Sequence, residues 1–155
     1  MAEPKEIEPS QSKISQFTSI PKVPISWGEL IDKITILEIK AENINSKSAI
    51  SNIVTELSLL RKIAEPVLIE NAEIANFASH LRVINKRLWD IEDHIRRKDA
   101  AAEFDQEFID LARSVYKNND ERGAIKRQIN QKLGSGLMEE KSYKVITCPR
   151  PSNFL

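Results

Sequence analysis

Seven apolar residues, Ile74, Phe77, Leu81, Ile84, Leu88, Ile91 and Ile95, recur in alternating steps of three and four without a break. An α-helix brings such positions onto one face, whereas a strand would need alternation at every second residue. A stripe this regular suits coiled-coil-like packing, and a helix with one apolar face must bury it against other elements. The period predicts a helix over 73–98. Arg96, Arg97 and Lys98 crowd its last turn, where cations favour the negative end of the helix dipole.

Three further helices follow from the same argument. In Ile25-Ser26-Trp27-Gly28-Glu29-Leu30, Ser26 and Glu29 have the spacing of a capping box, and Ile25 with Leu30 that of a hydrophobic staple. Trp27, Leu30, Ile34, Leu37, Ala41 and Ile44 then share a face, so a first helix is expected over 27–44. Ile50, Ile53, Val54, Leu57 and Leu60 predict a second over 49–64, ended by Pro66, which has no N–H to continue the ladder. Glu103, Asp105 and Glu107 suit the opening turn of a fourth helix over 105–133, closed by Gly134-Ser135-Gly136. The expected fold is all-α, an antiparallel bundle of about four helices, two short and two long.

Outside the bundle, assigned to residues 25–136, the patterns fade. Residues 1–24 hold Pro4, Pro9, Pro21 and Pro24 among Ser, Gln, Lys and Glu, a composition expected to form a disordered arm. Residues 137–155 have no sustained period and are expected to be an irregular tail. The 155 residues allow one domain. With 23 basic and 23 acidic side chains the formal charge is zero, which implies no nucleic-acid partner. No stretch has the roughly 18 uninterrupted apolar residues of a membrane span, so no membrane insertion is expected. The single cysteine, Cys148, permits no intrachain disulfide and fits a reducing cytoplasm. Ile36 and Ile39 lie off the first helix's stripe and would stay exposed in a simple bundle, which suggests a homodimer.

The residues that bear on function are polar ones standing where the apolar phase asks for hydrophobes. On the fourth helix the stripe of Phe108, Leu111/Ala112 and Val115 projects onto Asn118/Asn119 and then Arg122 before returning to Ile125 and Ile129. Gly123 lies beside this break, and close approach to the backbone would account for a mid-helix glycine that costs about 1 kcal/mol against alanine. Asn119, Arg122, Lys126 and Asn130 form one ladder, and Asn85, Trp89, Glu92 with Asp93, and Arg96 form another on the third helix. Glu29, Asp32 with Lys33, and Lys40 are spaced similarly on the first. Interhelical ion pairs alone can produce such ladders. If the ladders meet, they enclose a polar seam for an anionic, phosphate- or carboxylate-bearing metabolite. Arg122, Lys126, Arg96, Lys33 and Asn119 would then bind the anion, Glu92, Asp93 and Asp120 would serve as acids or bases, and Trp27 and Trp89 would pack or stack in the seam. No metal site is assigned and no cofactor is required. Mg²⁺ held by Glu92-Asp93 with Asp120 or Asp32 is the one cofactor these carboxylates suggest.

The strings PISWGELIDKITILEIKAENI (24–44), LWDIEDHIR (88–96), FIDLARSVYKNNDERGAIKRQIN (108–130) and GSGLMEEKSY (134–143) resemble an uncharacterised bacterial family, the domain of unknown function DUF6165, over about residues 24–143. The resemblance implies a domain boundary and motif positions coinciding with most of the seam, but no activity. Two other functions compete with metabolite binding. One is a helical assembly protein, linked through the family context to cell-envelope polysaccharide machinery. The other is a Mg-dependent helical nucleotide pyrophosphohydrolase, for which only Glu38 with Glu42 and Glu92 with Asp93 approach the needed carboxylate pairs.

Overall fold

The computed structural model describes residues 20–141; residues 1–19 of the arm expected over 1–24, the end of the tail and Cys148 lie outside them. Four helices follow in order, α1 (Trp27–Asn43), α2 (Lys47–Glu70), α3 (Ala72–Ala100) and α4 (Gln106–Lys132), and no strand occurs among the described residues. The chain is an all-α bundle.

α1, α3 and α4 each begin where a side chain satisfies free N–H groups of the first turn, whereas Ser46 before α2 makes no such bond. Ser26 accepts from the Glu29 N–H at 3.2 Å, Asn71 from the N–H groups of Glu73 and Ile74, and Asp105 from that of Phe108 at 3.0 Å. Only half of the expected capping box forms, because the Glu29 carboxylate turns to Lys126 at 2.6 Å. The expected stop at Pro66 is overturned, since α2 continues through the proline to Glu70. Val67 and Leu68 are half-buried against the core, and that burial offsets the lost backbone hydrogen bond. Asn71 then ends α2 and caps α3 at once.

Two apolar clusters make the core. One joins Ile31 to Ile74, Leu81, Ile84 and Leu88 of the predicted α3 stripe and to Ile125 and Ile129 of α4; the other sets Leu30, Ile34 and Leu37 of α1 against Ile53, Leu57 and Ala64 of α2. Trp27 and Leu68 pack against both, so Trp27 links the clusters. Glu73–Lys132, Asn85–Arg122, Arg87–Asn118 and Lys98–Asp105 contacts rise in number along α3 and fall along α4, which makes the pair antiparallel. α1 is antiparallel to α4 in the same way, from Trp27–Ser135 through Gly28–Asn130 to Glu29–Lys126. It meets α3 where Asp32 and Thr35 face Asn85. Ile39, expected to be exposed, is 1% accessible within the single chain, and Ile36 is half-buried.

Candidate functional site

Where α1, α3 and α4 converge, a buried polar network replaces the apolar core. Asp32, Thr35 and Asn85 are each at most 5% accessible. The Asn85 Nδ2 donates to Asp32 Oδ1 at 2.7 Å and to Thr35 Oγ1 at 2.9 Å, while the Thr35 hydroxyl donates to the Asp32 carbonyl at 2.8 Å. This leaves Asn85 Oδ1 to accept from Arg122 Nη1 at 3.3 Å. Burial raises the Asp32 pKa above the usual carboxylate range, against the Asn85 hydrogen bond and the charges of Arg122 and Lys126.

Above this network lies a cleft of about 360 Å³. Asn85, Leu88, Trp89, Glu92, Asp93 and Arg96 line it from α3, Ile36, Ile39 and Lys40 from α1, and Arg122 from α4. The α3 ladder predicted from spacing is therefore one wall. Arg122, half-buried, has a buried Nε without a hydrogen-bond partner. Among the described residues neither it nor Lys40 forms an ion pair, whereas Arg96 is paired with Glu92 at 2.9 Å and Asp93 with Arg97 at 2.6 Å.

Other expected site residues stand elsewhere. Lys33 points to α2 and pairs with Glu56 at 3.1 Å. Lys126 bridges Glu29 and Glu139 at 2.6 and 2.7 Å; burial opposes its charge, but the two carboxylates hold its pKa above the ordinary lysine range. Asn119 accepts from Lys141 Nζ at 3.3 Å through its backbone carbonyl, and it is Asn118 that is buried, receiving Arg87 Nη1 at 2.9 Å. Asp120 is exposed and outside the cleft, and Trp27 packs in the core. Among the described residues no three His, Cys, Asp or Glu side chains gather as a metal-binding group, so Glu92, Asp93, Asp120 and Asp32 do not assemble the Mg²⁺ site their spacing suggested. Glu38 and Glu42 are engaged by Arg61 and Arg82.

The approach expected at Gly123 comes from the tail. Lys141 lies over it, and Arg127 holds Glu140 at 2.8 Å and the Glu139 carbonyl at 3.4 Å, so residues 138–141 run along α4. Lys40, placed in the first helix's ladder by spacing, does line the cleft, whereas spacing did not reveal Ile36 and Ile39, because the crossing of α1 over α3 decides which part of α1 meets that wall.

An all-α bundle with a charged interhelical cleft is thus the class that fold and site define. The sequence matches the family described as Family of unknown function (DUF6165) over residues 21–154, and the chain belongs to that family. No curated protein and no solved structure matches it.

Proposed function

We propose that this domain binds a small anionic metabolite in the cleft between α1, α3 and α4, with Arg122 as the main anion contact. The observation that carries the reading is the state of Arg122: a half-buried guanidinium at the cleft, held by one amide oxygen and by no carboxylate among the described residues. A cation removed from water in this way favours an anionic partner, and the guanidinium fork suits a phosphate or carboxylate. Lys40 and Arg96 add positive charge, and Glu92 and Asp93 are within the same cleft should the bound molecule be transformed. A cytoplasmic address is supported by the single cysteine.

The test is thermal denaturation with inorganic phosphate and with citrate, for the native protein and for Arg122→Lys. A ligand that binds only the folded state raises Tm with concentration. The expected outcome is a rise for the native protein that Arg122→Lys diminishes while its ligand-free Tm stays close to native. A lowered ligand-free Tm with no ligand effect in either protein would make Arg122 a packing residue.

The assembly reading is favoured by a different observation. Every residue from 92 to 117, at the far end of the α3–α4 pair, is half-buried or exposed, with Phe104, Ile109 and Tyr116 at 41–61% accessibility. Exposed aromatic surface on a projecting helix pair suits a protein partner.

A further inference from the structure

The cleft has two unlike ends, and their order is fixed by α3. Its lining runs from Asn85 to Arg96, about 16 Å at 1.5 Å per residue. Arg122 stands at the Asn85 end, to which it is hydrogen-bonded. The middle is apolar and presents Leu88 and the half-buried Trp89. At the far end Glu92 and Asp93 alternate with Arg96, and each carboxylate is already matched by an arginine of its own helix. The volume, about 360 Å³, is at the small end of the roughly 300–1,000 Å³ typical of ligand sites, which selects a small metabolite over a polymer or a dinucleotide.

Each region excludes a type of ligand. Although Lys40 also lines the cleft, a second anionic group at the far end would meet the two carboxylates of Glu92 and Asp93. An apolar tail would desolvate the same charged row without giving it hydrogen bonds, which costs free energy. Hydroxyl groups satisfy both sides, because each donates to a carboxylate and accepts from a guanidinium. A ring carrying C–H bonds on its faces suits the indole of Trp89 between the two ends.

We infer that the ligand is a monophosphorylated polyol, of the sugar monophosphate class, with its phosphate at Arg122, its ring against Trp89 and its hydroxyls on Glu92, Asp93 and Arg96. This rests on the anion-binding reading above and narrows it.

Isothermal titration with glucose 6-phosphate, ribose 5-phosphate, phenyl phosphate and inorganic phosphate separates the two claims. At least one sugar phosphate should bind tenfold or more tighter than both phenyl phosphate and inorganic phosphate. Glu92→Gln and Trp89→Leu, each checked for native helicity by circular dichroism, should abolish that advantage while leaving inorganic phosphate binding within twofold. Arg122→Lys should instead weaken all four. Phenyl phosphate equal to or tighter than both sugar phosphates would overturn the polyol assignment and leave the anion site standing. Equal losses across all probes in Glu92→Gln would also overturn it. Absence of binding by all four would overturn both.

Discussion

Asn85 donates its side-chain amide to the Asp32 carboxylate at 2.7 Å, fixing α3 to α1 at a point where both side chains are at most 5% accessible. Because the same nitrogen also serves Thr35, the amide cannot flip without losing two acceptors, and its oxygen is held toward Arg122. Asn85→Ala would leave Asp32 and Thr35 buried without this donor. A loss of about 2–3 kcal/mol is expected, at the upper part of the range for orphaned buried groups because one is a carboxylate. Urea denaturation measures it, and a loss under 0.5 kcal/mol would show that the network is not holding the helices.

Asp32 also gives the fold a pH dependence whose sign follows from its raised pKa. Burial is the leading cause, so the native state takes up this proton at a higher pH than the unfolded chain does. Between the ordinary aspartate value and the raised one, the native state binds more protons, and stability falls as pH rises. Above the raised value the penalty of the buried charge is fully present. Asp32→Asn keeps an oxygen for Asn85 and removes that charge. Its stability relative to the native protein should therefore improve as pH increases across this window and then level off. Glu139, whose pKa Lys126 holds below the usual range, acts oppositely, losing its contribution as pH falls. Subtracting the two proteins' pH series isolates Asp32, and a pH-independent difference would refute the assignment.

Two glycines should respond in opposite directions to alanine. A Cβ on Gly28 would lie 2.5 Å from the Lys126 carbonyl oxygen, so the backbones of α1 and α4 would have to separate. Gly28→Ala should cost about 1–3 kcal/mol, as forced overpacking does. At Gly123 the nearest atom is Lys141 Nζ at 2.8 Å, the end of a flexible side chain that can swing away. The gain in helix propensity, about 1 kcal/mol, then outweighs the displaced contact, and Gly123→Ala should match or exceed native stability. Parallel thermal melts decide between the signs.

The α3 stripe and the starts of α1 and α4 were legible in the sequence because apolar period and capping chemistry act locally. The α3 wall of the cleft was legible for the same reason, since Asn85, Trp89, Glu92 and Arg96 share a face by spacing alone. Which residues of α1 and α4 join that wall depends on where the helices cross. Lys33 and Lys126 carry the right charge in the right rows, yet Glu56 draws one to α2 and Glu29 with Glu139 hold the other a turn along α4 from Arg122. The continuation through Pro66 was hidden because burial of Val67 and Leu68 is a tertiary effect that local propensity does not contain.

The ends of the two longest helices give the last prediction. At the end of α4, Ser135 N–H donates to the Asn130 carbonyl at 2.8 Å and Gly134 N–H to that of Gln131 at 3.3 Å, the paired pattern of a Schellman motif with Gly134 at φ +59°. The end of α3 repeats it, with Glu103 N–H on Lys98 at 2.9 Å and Ala102 N–H on Asp99 at 3.0 Å, but the left-handed position, φ +56°, belongs to Ala102. An L-residue there costs roughly 1–2 kcal/mol through the approach of Cβ to the following carbonyl. The turn is retained because Lys98, clasped by Glu103, Asp105 and Glu107, ties α3 to the start of α4 across it. Ala102→Gly removes the strain and returns part of the gain as added freedom of the unfolded chain, about 0.4–1 kcal/mol. A net stabilisation of about 0.5–1 kcal/mol is expected, with the helical content unchanged by circular dichroism. A destabilised Ala102→Gly protein in a urea titration would mean that the left-handed turn is not adopted in solution.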